Sequence, residues 1–188
     1  MTTLLDEVMG DKKKALNKWR ARVGHEEATR ISVAATTRGT SFHSSVEDYL
    51  NNRLDISSLD PFEADTFENA RSTLDRIDNI RFTERGMFSM EHRIAGTVDC
   101  IAEFDGVLSI IDHKTSRAEK KESWIESYFL QETGYALMYE ELTGIKVNQI
   151  VTIISVKEHH TAQVFVKQTQ AYIPKLKSLI TEYYRTNV

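Results

Sequence analysis

Two runs rich in β-branched and apolar residues, Thr97 to Phe104 and Val107 to Lys114, are separated only by Asp105-Gly106. A type I′ turn needs positive φ at both central residues, and Asp-Gly supplies it, so this dipeptide is a strong hairpin signal. The register follows from the turn. Phe104 faces Val107, Glu103 faces Leu108, and counting outward sets Asp99 directly opposite Asp112. Alternation along a strand then puts Lys114 on the same face as the two acids, and His113 on the other.

Directly opposed like charges destabilise a strand pair, and Val98, Ile101, Ile110 and Ile111 leave solvent little room to screen them. A hard divalent cation, Mg²⁺ or Mn²⁺, is the simplest compensation, because closely spaced carboxylate oxygens are its preferred ligands. The plainer alternative is an Asp112–Lys114 or Asp99–Lys114 ion pair without metal on a solvent-facing side, and D-x-K alone is a weak motif.

The rest of the chain frames this hairpin. Residues 1–35 read as helical, with Lys14, Lys18 and Arg22 spaced along one face, most simply a solvated one. Thr40 or Ser41 is expected to cap a second helix carrying Phe42, Val46, Tyr49 and Leu50, and Asp60-Pro61 to open a third reaching Asp78. Strands are expected at Ile80–Glu84, Met87–Ile94, Thr97–Phe104 and Val107–Lys114, then a long helix over Glu122–Leu142 stopped by Gly144. Further strands at Val147–Val156 and Ala162–Val166 precede a terminal helix after Ala171. The fold class is α/β, of αβββαββα type, with helices flanking a central, mostly antiparallel sheet.

A chain of 188 residues, 40% hydrophobic and 28% charged, suits one hydrophobic core, so a single domain is expected over 1–188. It divides into an N-terminal helical extension (1–37), a core (38–170) and a C-terminal helix (171–188). No apolar run is long enough to cross a bilayer and no secretory signal is recognisable, which points to a cytoplasm-like compartment. The lone Cys100 excludes an internal disulfide and any site needing several thiolates from this chain. A net charge of −4 argues mildly against a protein that coats nucleic acid, while leaving room for a local basic groove.

Gly96-Thr97-Val98-Asp99 followed by Ile110-Ile111-Asp112-His113-Lys114-Thr115-Ser116 resembles the RecB-type branch of the PD-(D/E)XK nucleases. Gln131 and Tyr135 match the branch's Q-x-x-x-Y helix motif, Arg38 to His43 its R-G-x-x-x-H motif, and Glu84 a further acidic position before the G-x-x-D strand. Within the branch the pattern is most similar to the mitochondrial genome maintenance exonucleases and their phage relatives, which degrade DNA from its ends and favour single strands. The resemblance implies a restriction-endonuclease-like core and a Mg²⁺- or Mn²⁺-dependent DNA exonuclease. An endonuclease of the same fold shares every motif, and an inactive nucleic-acid-binding module would be marked by a missing acid or lysine.

The same resemblance implies the roles. Asp99, Asp112, the His113 carbonyl and the His43 imidazole are the implied metal ligands. Lys114 is implied to assist the attacking water and to offset charge developing on the phosphate, with Gln131 and Tyr135 beside it on the long helix. Arg38, Thr115 and Ser116 are implied DNA contacts. Arg117, Lys120 and Lys121 follow the motif strand in a loop that either meets phosphates or is simply solvated. Glu47, one helical turn beyond His43, either orients that ring or is surface charge. The His113 side chain is expected to pack beneath the sheet. Trp124, Tyr128, Met138 and Leu142 share a helical stripe with Gln131 and Tyr135 that otherwise reads as a core face.

Overall fold

The computed structural model describes residues 1–9, 11–157 and 159–187; the side chains of 11–14 lie outside the described set, Lys14 of the basic stripe among them. Lys18 and Arg22 are exposed, as a solvated helix face requires. Helices α1 (Thr2–Val8), α2 (Asp11–Val23), α3 (His25–Leu50) and α4 (Pro61–Leu74) precede strands β1 (Ile77–Ser89), β2 (Ile94–Phe104) and β3 (Val107–Ser116). Helix α5 (Glu126–Thr143), strands β4 (Gln149–Val156) and β5 (Gln163–Gln168), and helix α6 (Ile173–Asn187) complete the chain. The sheet runs β1-β2-β3-β4-β5, with β3 and β4 parallel and every other neighbouring pair antiparallel. Helix α5 is the crossover that a parallel pair demands.

Alternation along the strands feeds two cores. Ile101, Ile110, Ile150 and Ile154 face α5 and α6, while Cys100, Ala102, Ile111, Val151 and Ile153 face α3 and α4. The sheet is therefore covered on both faces, and β4 is buried along nearly its whole length.

Three expected boundaries are corrected, the simplest being that α4 ends at Leu74 and Asp78 lies in β1 instead of the helix. Thr40 and Ser41 cap nothing, because α3 runs unbroken from His25 to Leu50 and starts after Gly24 at φ 89°. Ser41 instead hydrogen-bonds Glu63, which also closes the capping box with Asp60 at the start of α4. The expected strands Ile80–Glu84 and Met87–Ile94 are one strand and a turn: β1 runs to Ser89, and Met90–Arg93 reverse the chain. That turn holds neither Gly nor Pro. Arg93 takes φ 56°, and Glu141 of α5 accepts from the Met90 amide at 2.8 Å. A tertiary contact anchors it, and locally the Ser89 hydroxyl accepts from the His92 amide at 2.9 Å, a weak turn signal by itself.

The Asp105-Gly106 turn forms as expected, with φ of 51° and 77°. Phe104 pairs with Val107 and Glu103 with Leu108. Asp105 is held by Arg76, whose Nε donates to Oδ1 at 3.0 Å. The β2–β3 ladder ends at Cys100–Ile111, whereas β3 stays paired with β4 as far as Ser116–Val156. Beyond Ile111, β2 departs from β3 and leaves one edge of its last residues open.

Gly106→Ala is expected to lower unfolding free energy by about 1–3 kcal/mol, since a Cβ is strained at positive φ. Urea denaturation measures it, and an unchanged midpoint contradicts this account of the turn.

Candidate active site

The place where β2 leaves β3 is also where its alternation fails. Val98 sits in the core under α5 and Cys100 in the core under α3, although residues two apart in a regular strand share a face. Across the β1–β2 ladder, Arg85 pairs with Val98 and Thr83 with Cys100, and between them Glu84 adopts φ 47°. A non-glycine residue rarely takes this conformation, so the kink is held in place by its surroundings. It directs Glu84 and Asp99 toward α3. His43 Nδ1 there lies 3.4 Å from Asp99 Oδ2 and 3.6 Å from Glu84 Oε1.

One ligand atom from each of His43, Glu84 and Asp99 lies within 4.8 Å of the others. Two carboxylates and an imidazole at that spacing suit a divalent cation. His43 and Glu84 border a groove of about 520 Å³ along α3, lined also by Gly39, Thr40, Ser44 and Glu47. Glu47 pairs with Arg53 at 3.6 Å on the rim of this groove, and the acids facing His43 Nδ1 are Glu84 and Asp99.

Asp99 and Asp112 are not the paired residues that extrapolation from the turn expects, because the ladder stops one step earlier. Asp99 Oδ2 instead accepts from the His113 backbone amide at 2.8 Å, which ties the kink of β2 to β3. The two acids still converge through Lys114, whose Nζ is 2.5 Å from Asp112 Oδ2 and 3.9 Å from Asp99 Oδ2. The pair is not solvent-facing: Asp112 is only 2% exposed, with half-buried Lys114 beside it. Neither Asp112 oxygen receives a well-directed hydrogen bond even so, which leaves buried lone pairs for another partner. The His113 carbonyl accepts weakly from Lys114 Nζ at 3.4 Å.

The His113 side chain packs beneath the sheet as expected and is 2% exposed. It does not lie opposite both acids, however. The kink brings Asp99 Oδ2 to 4.0 Å from its Nδ1. Burial pushes the His113 imidazole down to about 3, so it stays neutral at physiological pH.

Crowding shows in the acid–base chemistry. Burial, then Asp99, raises the Glu84 carboxyl above its ordinary range. Burial raises Asp112 too, with Asp99 adding and Lys114 partly offsetting. Burial alone would lower the Lys114 ammonium, but Asp112 and Asp99 outweigh it and hold the group cationic.

Helix α5 closes the site from the other face. Gln131 Nε2 donates to Tyr135 Oη at 3.0 Å, and burial pushes the Tyr135 phenol up to about 12. Gly96 makes this fit possible: a Cβ there would meet the Tyr135 ring at 3.0 Å and its hydroxyl at 3.1 Å. Tyr128 lies under Lys114, the ammonium 5.6 Å from its ring centre. The expected core stripe is corrected at its ends: Trp124 is 62% exposed, in a 3₁₀ turn before α5, and Leu142 is exposed near the end of the helix. Of the predicted DNA contacts, Arg38 and half-buried Thr115 line a cavity of about 20 Å³ with Ser116. The Ser116 hydroxyl is used internally, donating to the Ala118 carbonyl at 2.6 Å. Arg117 and Lys121 are exposed, and Lys120 is half-buried.

One residue of the site escapes sequence reasoning. Glu132 is wholly buried and accepts from the Thr152 hydroxyl, level with Asp112 on the parallel neighbour strand. Its Oε2 has no partner, and burial followed by Asp112 raises its carboxyl well above the ordinary range. The available signal was an acid one helical turn after Tyr128, on the buried side of the helix.

The sequence model of the PD-(D/E)XK nuclease superfamily matches residues 56–186. The chain belongs to the PD-(D/E)XK nuclease superfamily. Two curated relatives are named mitochondrial genome maintenance exonuclease 1. The one from Xenopus tropicalis is 27% identical over 165 residues, covering 82% of this chain and 47% of its own length. The one from Homo sapiens is 26% identical over 120 residues, covering 61% of this chain and 34% of its own. The chain thus spans half or less of the relatives it matches. A structure from Eubacterium rectale, solved as a candidate exonuclease, superposes at TM-score 0.51 with 12% identity, over 79% of this chain and 66% of that one. That likeness supports the PD-(D/E)XK fold. The superfamily match begins after α3, so the role of His43 rests on geometry.

Glu132 supplies a pH test. Below the ordinary glutamate value of 4.5 it is protonated in folded and unfolded chains alike. As pH rises past that value the unfolded chain ionises while the folded chain does not, so the folded state loses stability until its own raised pKa is passed. Glu132→Gln, which cannot ionise, is expected to gain on the wild type across that interval. Urea denaturation at pH 4 and pH 7.5 checks it, and a difference that ignores pH contradicts it.

Proposed function

We propose that the chain is a Mg²⁺- or Mn²⁺-dependent deoxyribonuclease that hydrolyses phosphodiester bonds from the ends of DNA, preferring single strands. The observation that carries the proposal is the convergence of Asp99, Asp112 and Lys114 beside His43 and Glu84 where the β2–β3 ladder opens. The exonuclease names of the curated relatives support end-dependent action. The sheet presents all three members of the D…D-x-K set, which supports a working nuclease over a module that only binds.

His43, Glu84 and Asp99 are positioned to hold the cation, and Asp112 Oδ1 and Oδ2 offer it further lone pairs. A nitrogen ligand among oxygens makes Mn²⁺ a competent substitute for Mg²⁺. When bound, such an ion acidifies water and polarises the phosphate. Lys114, kept cationic by Asp112 and Asp99, faces the charge that develops on the phosphate oxygens. The Gln131–Tyr135 pair offers polar donors along the adjoining helix. Neutral His113 holds Asp99 through its backbone amide and takes no proton. The Cys100 thiol, buried and raised to about 12, takes no part in nucleophilic chemistry.

Asp112→Ala and Lys114→Ala are each expected to cut hydrolysis of a linear DNA strand by about 100-fold or more while the chain stays folded. EDTA is expected to abolish cleavage, and Mg²⁺ or Mn²⁺ to restore it. A gel comparing end-labelled linear strands with a closed single-stranded circle decides the mode. Degradation of the linear strand with an intact circle is the expected result, a cut circle rejects end dependence, and equal cleavage in EDTA rejects the metal site.

A further inference from the structure

Between β3 and α5 the chain carries Arg117, Lys120, Lys121 and Trp124, and its conformation is firmly held. The Lys120 amide donates to Gln163 Oε1 at 2.7 Å, and Gln163 Nε2 returns a bond to the Lys120 carbonyl at 3.3 Å. Glu122 pairs with Lys167 at 2.7 Å, the Trp124 amide donates to the Lys121 carbonyl at 2.9 Å, and Ile125 is buried at once after it. These contacts fasten the segment to β5 and to the core, yet they leave the indole of Trp124 62% exposed. A tryptophan is among the most rewarding side chains to bury, so a well-anchored loop that displays one presents a prepared binding surface.

Charge identifies the occupant. Lys121 Nζ lies over one face of the Trp124 ring, 5.3 Å from its centre, so the opposite face is the one a base would use. Exposed Arg117 lies near enough to Arg38 to disfavour, after burial, the charge of that second guanidinium. Arg38 Nε is buried without a partner in the cavity beside Thr115 and Ser116. An aromatic plane with a cation at it and further cations in the same connecting segment is a combination that binds a single nucleic-acid strand, bases on the ring and phosphates on the cations. In a duplex the base faces are already stacked and unavailable.

We propose that Trp124 is a base-stacking platform for the single DNA strand leading to the site, with Lys121 and Arg117 against its phosphates. This rests on the nuclease proposal above and adds a binding residue to it. Stacking on an aromatic face tolerates any base, as an end-directed enzyme without sequence preference requires.

Trp19 and Trp124 are the two tryptophans, so Trp19→Phe leaves Trp124 as the sole indole reporter. An oligothymidylate titrated into that variant in EDTA is expected to quench its fluorescence saturably, and a blunt duplex of equal length is not. Trp124→Ala is expected to weaken oligothymidylate binding by about 5- to 100-fold, with Trp124→Phe recovering most of it. In Mg²⁺, Trp124→Ala is expected to raise KM for a linear strand with kcat nearly unchanged. Absence of quenching, equal quenching by the duplex, or unchanged affinity in Trp124→Ala overturns the platform. Quenching without hydrolysis in any divalent ion keeps the platform and removes the nuclease proposal; hydrolysis without quenching does the reverse.

Discussion

The site turns on the mutual repulsion of carboxylates gathered in a place that water screens poorly. Glu84, Asp99 and Asp112 come from three strands, and Glu132 adds a fourth acid from α5. Lys114 is the cation that touches Asp112 and approaches Asp99. One ammonium stands against this cluster, and burial first, with the neighbouring acids after it, raises the Glu84, Asp112 and Glu132 carboxyls. On the proposed reading a divalent cation would relieve this conflict, because closely spaced carboxylate oxygens are its preferred ligands.

The backbone makes the crowding possible. Had β2 stayed regular, Asp99 would lie against Asp112 on the α5 face, far from α3. The kink at Glu84 and Asp99 turns both acids toward His43. The His113 amide fixes Asp99 there, so a single hydrogen bond links strand geometry to ligand placement. Gly96 lets Tyr135 close on the strand just before the kink, which accounts physically for a glycine three residues ahead of the acid.

Much of this was legible in the sequence. Asp105-Gly106 set the register of β2 against β3, Gly144 stopped α5, and Asp60-Pro61 opened α4, each through a local rule about φ or a missing donor. The D…D-x-K set with its helix partners could be read because motifs keep their spacing. The kink could not: its cause is a positive φ at Glu84, a residue with no such local preference, held by tertiary contacts. For the same reason extrapolation set Asp99 on the wrong face and gave Glu84 only a minor part. The Met90–Arg93 turn is hard to read because its main anchor, Glu141, is distant and its local one, the Ser89 hydroxyl, is a weak signal; Trp124 leaves the core stripe because helical periodicity does not extend before the true start of α5.

On the proposed reading the kinked β1–β2 strands and α3 build a cation site. Anomalous diffraction from crystals soaked in Mn²⁺ tests it most directly. The expected result is a peak within coordination distance of Asp99, with His43 or Glu84 among the ligands and Asp112 on its border. A strong Mn²⁺ peak elsewhere, with none between those side chains at saturating ion, would contradict it.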